Sequence, residues 1–507
     1  MSVQLIISLL SQAISILTGV ISVPWLMRAL GAEAYGLIGI YAIVQTWLQW
    51  LDAGVSLTAS RQAARHRGGE VSDAQINALV RYASFLFFAI GIVAFFALLI
   101  FQDDVVHGKR FDVADGLGDV RVALCLMFLA AILRWLAGLY KGLLAGFGYL
   151  SVVAIVNATS AVGRNIAVFP LLTWLGVSVE SYFVVHVVVG LIELLFSVIM
   201  VVHVMRKNSG VPGGSKGPFT IEWLLGVFRY SGLVAVNTAA VVFVNQIDRI
   251  MQLGVMTLKD FGIYSVVMSI GTVILSVGSP VASVMIPRMT SLVAKDGVLA
   301  ARDPYVRVSV LMSSLLVSVA MAAVWCAPGL LKAFGVLDTD ASGFDLMLRL
   351  YLIGNVFYVI SFFPAFLCHA AGDVVLLLVA NVILGIGMLL GMILGRDLMG
   401  SNGVALAWCA INALNLIVWT AFVHRRYFGT MYLFGAIKYV LFPALLSCLC
   451  VTLMATTQCL NWLRTGGELL GHWFVLIQLL AFSVGGVLAG FVTLKLLLLR
   501  RGQRRFA

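Results

Sequence analysis

The sequence predicts an all-α integral membrane protein with about fourteen transmembrane helices. Three observations carry that expectation. Hydrophobic residues fill 62% of the 507 positions and charged residues only 11%, whereas a soluble domain carries roughly a quarter charged residues to keep its surface wet. Apolar runs of about 20 residues, the length that crosses a bilayer as a helix, recur from one end of the chain to the other. The basic residues concentrate in alternate connecting loops.

Taken in order, the candidate spans are 4–27, 35–58, 79–101, 121–145, 150–174, 180–204, 223–256, 261–287, 308–333, 346–368, 373–395, 402–423, 433–456 and 472–498. The first run, Leu5 to Met27, is too long for a signal-peptide core and lacks a basic start, so it is expected to remain as a membrane helix. Unpaired backbone groups are not tolerated against lipid, which makes every span a helix. With the N-terminus on the cytoplasmic side, the inner loops carry 16 Lys and Arg, among them Arg61, Arg65, Arg206, Arg288, Arg425 and Arg501. The outer loops carry 8, and 13 of the 22 acidic residues, including Asp103, Asp104, Asp112, Asp115 and Asp119. That asymmetry predicts an even number of crossings with both termini inside.

The loop Arg206 to Gly217, RKNSGVPGGSKG, has the composition of a flexible linker. It divides the chain into an N-terminal six-helix lobe (1–206), a cytoplasmic linker (207–222), a second six-helix lobe (223–425), and a segment (426–507) with two further helices and a basic tail. An internal repeat supports the division. Tyr35-Gly36 opens the second helix and Phe261-Gly262 the eighth. Gly148 precedes Asn157 by nine residues, and Gly372 precedes Asn381 by the same nine. Halves duplicated in this way typically enclose a site near the bilayer midplane.

Charges within the spans cost about 2.5–3.5 kcal/mol each on insertion scales, which marks each as a functional candidate. The first half holds Asp52, Arg134, Lys141, Arg164 and Glu193, and the second holds Asp248 and Arg249. Arg134 and Arg164 fall near mid-helix and are expected to face a substrate cavity. Glu193 lies at the depth of Arg164 on the next helix, and a pair of this kind also serves to order a bundle. Lys141 lies nearer the cytoplasmic end, where it can snorkel. Asp248 and Arg249 point about 100° apart on one helix and do not pair directly. Asp52 stands at the inner end of its helix, as a gate contact or a cap. The interior of the first half is cationic by one charge, and Arg28 at the outer end adds another. Such a cavity suits an anion, and a guanidinium grips phosphate with two parallel hydrogen bonds.

Several classes are disfavoured. There is no basic patch interleaved with aromatics for nucleic acid, and His186, His203, His369 and His424 lack metal-ligand spacing. No GxxxxGK[ST] loop accompanies an ATPase-sized soluble domain, and no nucleophile–base constellation suggests an enzyme. No cofactor is expected. The seven cysteines form no CxxC pair and sit mostly in apolar runs, where small buried thiols are the ordinary case.

The motifs have a familiar order. Pro24, Arg28, Gly31, Glu33, Tyr35 and Gly36, followed by Asp52-x-Gly54 and Arg61, resemble the start of the Wzx-type O-antigen and polysaccharide flippases. Asp248, Gly262-x-Tyr264, Pro287-Arg288 and Gly400-x-x-Gly403-Val404-Ala405 continue the likeness over residues 1–430. That family belongs to the superfamily of multidrug, oligosaccharidyl-lipid and polysaccharide exporters. The resemblance implies two lobes around a V-shaped cavity and a rocking, alternating-access cycle. It implies translocation of an undecaprenyl-diphosphate-linked oligosaccharide from the cytoplasmic to the periplasmic leaflet of a bacterial inner membrane. Arg28, Arg134, Lys141, Arg164 and Arg249 would then bind substrate, and Asp52, Glu193 and Asp248 would gate or couple to an ion. The partners implied are the lipid-linked oligosaccharide, membrane lipid, a polysaccharide polymerase and glycosyltransferases. Two alternatives stay open: a peptidoglycan lipid-precursor flippase, to which the two extra helices are similar, and an ion-coupled drug or metabolite exporter of the same superfamily.

Overall fold

A computed structural model describes residues 3–52, 55–106, 120–208, 239–276 and 278–429, with isolated positions at 220, 222, 445, 448, 449 and 452. The expected helices at 433–456 and 472–498, most of the linker, and the start of the seventh helix lie outside the described residues. The described chain is helical almost throughout, with no strand among these residues. Nine of its helical stretches are long and apolar enough to cross a membrane. Two of the nine are far longer than a crossing needs. Val374–Phe428 has 55 residues, roughly 80 Å at 1.5 Å per residue, against about 30 Å of hydrocarbon.

Both long stretches are broken by glycine. Helix α1 (Val3–Asp52) leaves helical geometry at Gly31, with φ of 86°. Helix α15 (Val374–Phe428) breaks at Met399 and Gly400, where Gly400 has φ of 59°. Only glycine adopts such angles without strain. The chain turns back sharply at the second break, for a methyl on Gly403 would collide with the carbonyl of Gly395.

Between these lie α2 (Val55–Arg67), α3 (Asp73–Val106), α4 (Val120–Gly146), α5 (Leu150–Asn165), α6 (Val168–Leu175) and α7 (Val179–Asn208). Then follow α8 (described over 239–253), α9 (Leu258–Ser276), α10 (Gly278–Asp296), α11 (Arg302–Trp325), α12 (Ala327–Ala333), α13 (Asp338–Ile360) and α14 (Phe362–Ala371). The sequence treats Arg61, Arg65 and Arg67 as loop residues, yet they lie on α2. Thr58, Ala59, Gln62, Ala63 and His66 form a buried stripe along that helix, with the 3–4 residue spacing of an amphipathic face. Gly142 and Gly146 of α4 receive it, since a Cβ at Gly142 would lie 2.9 Å from the Ser56 carbonyl. This is the small-xxx-small contact by which membrane helices approach closely. A reciprocal capping box then starts α3: Gln75 N–H donates to Ser72 Oγ at 3.2 Å, and Ser72 N–H donates to Gln75 Oε1 at 3.0 Å.

The chain divides into two compact units, one of residues 1–249 with 256–263, the other of 250–255 with 264–507. In the first, α4 is the hub and packs on α1, α2, α3, α5 and α7. Its buried residues, from Leu124 and Met127 to Trp135, Leu139 and Leu143, run round much of its circumference, as a central helix requires. The first turns of α9 also belong to this unit. There the matched glycines of the sequence repeat meet: a Cβ on Gly262 would strike the Ala32 carbonyl, and one on Gly36 the Leu258 carbonyl.

In the second unit α13 is the hub. Its fully buried Asn355 donates to the Gly271 carbonyl at 3.0 Å and accepts from Trp408 Nε1 at 3.0 Å, tying α9 and α15 to α13. The ends of α15 are joined too. Asp373 Oδ2 accepts from the Tyr427 hydroxyl at 2.8 Å and from Arg426 Nη2 at 2.8 Å. The Tyr427 hydroxyl first, and the Arg426 guanidinium next, hold the Asp373 carboxyl below the usual carboxylate range. A carboxyl depressed in the folded state contributes stability that is complete above its unfolded pKa of about 3.9 and lost as pH falls through the folded value. Asp373→Asn is therefore expected to lower the melting temperature slightly at pH 7, and the gap to wild type should begin to shrink below about pH 4. A gap that persists undiminished at pH 3 would contradict the assignment.

Candidate functional site

The charged residues of the first unit converge around α4. Arg134 and Lys141 are seven residues apart, close to two turns, so they share one face of the hub helix. Asn157 and Arg164 have the same spacing on α5. Helix α7 supplies Glu193, and the second arm of α1 supplies Tyr41 and Gln45, one turn apart.

These groups form a hydrogen-bonded cluster. Lys141 Nζ donates to Glu193 Oε1 at 2.6 Å and to Asn157 Oδ1 at 3.0 Å. Arg164 Nη1 donates to Glu193 Oε2 at 2.6 Å. Each carboxylate oxygen thus carries a cation of its own. Arg134 Nη1 donates to Gln45 Oε1 at 2.5 Å, and its stem passes beside Gly190, one turn before Glu193 on α7. Arg134 acts electrostatically on Lys141, Arg164 and Glu193. Glu193 is only 2% exposed and Arg164 8%. At that burial removal of one partner from an ion pair costs about 3–5 kcal/mol, because an uncompensated charge stays behind.

The cluster is not neutral. Three cations surround one carboxylate, and two donors beside them are unused. The Tyr41 hydroxyl and Gln45 Nε2 are buried without a hydrogen-bond partner among the described residues. Aromatic packing fixes this side of the cluster. The Tyr41 ring meets Phe183 edge-on at 5.4 Å and His186 at 5.5 Å, while His186 Nδ1 lies 3.0 Å from the Tyr182 carbonyl. Chemically, the arrangement offers a planar guanidinium, a second guanidinium, an ammonium and two neutral donors to an oxyanion, with one carboxylate as the resident counter-ion.

Of the residues singled out in the sequence, Arg134, Lys141, Arg164 and Glu193 come together in this way. Lys141 does not snorkel; its ammonium turns inward to Glu193 and Asn157. Arg28 is exposed on α1, three residues before the break at Gly31. Asp248 is fully buried on α8. Arg249 is half-buried, and its Nε has no hydrogen-bond partner among the described residues. Asp52 ends α1, and its side chain lies outside the described residues. Gln45 and Tyr41 were not expected from the sequence, nor was Asn157 expected as a ligand of Lys141. The available signal was a polar side chain inside an apolar span, four or seven residues from another.

The sequence model of the family described as polysaccharide biosynthesis protein matches residues 4–293. No curated protein is significantly similar in sequence. Among solved structures, the chain resembles a multidrug resistance MATE family transporter of the MOP superfamily in its inward-facing conformation. The identity is 13% and the TM-score 0.66, with 83% of this chain and 98% of that chain covered. It also resembles the lipid II flippase MurJ in an inward closed conformation, at 14% identity and a TM-score of 0.66, covering 98% and 99%. A Vibrio cholerae MATE transporter, VcmN, matches at 10% identity and a TM-score of 0.59, covering 85% and 98%. At such identities the likeness is one of fold: these are helical membrane transporters, and the chain shares their architecture.

Proposed function

This chain belongs to the polysaccharide biosynthesis protein family, and from that premise we propose that it flips an undecaprenyl-diphosphate-linked oligosaccharide across the bacterial inner membrane. Translocation runs from the cytoplasmic to the periplasmic leaflet and serves O-antigen, capsule or exopolysaccharide synthesis. Access alternates between the two sides of the membrane, and both termini are cytoplasmic. A polymerase and glycosyltransferases act beside it.

One observation carries the proposal: inside membrane-spanning helices Lys141 and Arg164 bind the carboxylate of Glu193, and Arg134, held by Gln45, lies near enough to act on all three. The excess of two positive charges matches the about two negative charges of a diphosphate bridging a lipid and a sugar. Guanidiniums grip such oxygens in bidentate fashion, and the unused donors of Tyr41 and Gln45 add directional contacts. When the headgroup arrives, its oxygens replace the Glu193 carboxylate on Lys141 or Arg164. Charge is thereby exchanged within the protein rather than stripped bare, which limits the desolvation cost. Arg28 and Arg249 extend the cationic lining, while Asp52, Glu193 and Asp248 gate the site or bind a coupling ion.

Likeness to a lipid II flippase along 98% of the chain favours a second reading, transport of a peptidoglycan precursor, whose diphosphate would meet the same cations. The test of the first reading is a cell lacking its own copy of this gene. Arg134→Ala with Arg164→Ala leaves Glu193 neutralised by Lys141, so the protein should stay in the membrane, and surface polysaccharide should fall at least about tenfold, the effect of losing one or more charge-assisted contacts. Normal polymer from the double variant overturns the phosphate site. Normal polymer in a strain lacking the protein altogether, with failing cell walls, favours the second reading.

A further inference from the structure

Beside the cation cluster, α5 and α7 meet closely at Gly163, where an added Cβ would lie 3.3 Å from Val189. From that contact a groove of about 500 Å³ runs between the two helices to Val152 and Met200. Its rim is apolar and open: Ile155 and Ile192 are 54% and 62% exposed, and Phe196 is 45% exposed. The Thr159 hydroxyl on its wall is turned back to its own helix, donating to the Ile155 and Val156 carbonyls at 2.9 and 3.1 Å. The wall therefore suits hydrocarbon and offers little to a sugar. The floor is different, for Glu193 lines it, and both oxygens of Glu193 are held from the far side by Lys141 and Arg164. The floor of an apolar slot thus lies one side chain away from the cations.

We infer that this groove holds the proximal part of the polyprenyl chain of the substrate while its phosphates rest on Arg134, Lys141 and Arg164. The inference rests on the phosphate-site reading above and adds where the tail goes. Size and charge select this occupant. The open space of about 500 Å³ along the two helices takes a length of hydrocarbon rather than a compact group. Such a chain buries enough apolar surface to dominate its own affinity. The net charge behind the floor is positive, so an anionic lipid is drawn to the groove at Glu193 and a neutral one is not.

The test uses the full chain in nanodiscs of zwitterionic lipid, with inorganic diphosphate and a polyprenyl diphosphate as probes. Thr159→Trp fills the groove from an exposed wall position that contributes nothing to the cluster. Wild type should bind the polyprenyl compound at least about tenfold more tightly than inorganic diphosphate. The Trp variant should lose most of that advantage and keep its affinity for inorganic diphosphate, which also reports correct folding. As a second reading, Thr159→Cys carrying an environment-sensitive fluorophore should shift its emission on adding polyprenyl diphosphate and stay unchanged with phosphatidylglycerol. An unchanged polyprenyl affinity in the Trp variant, with inorganic diphosphate still bound, overturns the groove alone. Equal responses to phosphatidylglycerol also overturn it, since any annular lipid would then fill the space. Failure of wild type to bind inorganic diphosphate overturns the phosphate site, and the inference falls with it.

Discussion

Glu193→Ala is expected to destabilise the protein by about 3–5 kcal/mol and to abolish surface polysaccharide. Glu193 accepts from Lys141 and Arg164 at 2.6 Å each while almost fully buried. Its removal leaves two cations facing each other, with Arg134 close enough to repel both. Protein level in the membrane and melting temperature in detergent should both fall. A companion variant separates stability from function. Replacing the set together, Lys141→Met with Arg164→Met and Glu193→Leu, removes all three charges and fills the space with apolar side chains. Exchange of a whole buried ion cluster for hydrocarbon is often neutral or stabilising, so the triple variant should recover the melting temperature. It should still make no polymer, because two of the three cations that receive phosphate are gone and Arg134 alone remains. A triple variant that transports normally would reduce the cluster to a strut.

The second large effect concerns Gly262. A methyl there would strike the Ala32 carbonyl and stand 3.0 Å from the Gly36 nitrogen. Backbone cannot yield as a flexible side chain does, so Gly262→Val should cost about 3 kcal/mol, the upper end of ordinary overpacking. It should also deplete the protein from the membrane several-fold. Gly138 on the hub helix provides the control, because nothing lies within 4 Å of an added Cβ. Gly138→Ala should be neutral or stabilise by about 0.5–1 kcal/mol through helix propensity. Similar melting temperatures for the Val and Ala variants would contradict the close approach.

Much of this was legible in the sequence, for identifiable reasons. Lipid leaves a chain few options, so composition and run length fix a helical membrane protein. Arg164 and Glu193 could be placed at similar depth on adjacent helices by counting residues, and the structure joins them. Counting could not give the direction of Lys141, since depth along a helix says nothing of azimuth relative to a neighbour. Gln45 and Tyr41 escaped notice because neutral polar residues carry little penalty on hydropathy scales and so stand out less than charges.

The helix interruptions were missed for a related reason. Hydropathy runs smoothly through Cys326 and Ser361, yet one helix ends before each and another begins after it, with φ of −90° and ψ of 6° at Cys326. Gly31 and Gly400, by contrast, were already landmarks of the family likeness, and their positive φ values supply the physical reason for glycine there. The stretch 61–67 read as a loop because its arginines are hydrophilic. Its buried stripe of Thr58, Gln62 and His66 is an amphipathic pattern that a search for purely apolar runs passes over.

The most direct measurement is headgroup translocation in proteoliposomes containing only this protein and a fluorescent undecaprenyl-diphosphate oligosaccharide. Wild type should move the headgroup between leaflets well above the rate of empty vesicles, and Arg134→Ala with Arg164→Ala should fall to that background while remaining folded. Equal rates for wild type and the double variant, in vesicles with equal protein, would contradict a phosphate site built on these arginines.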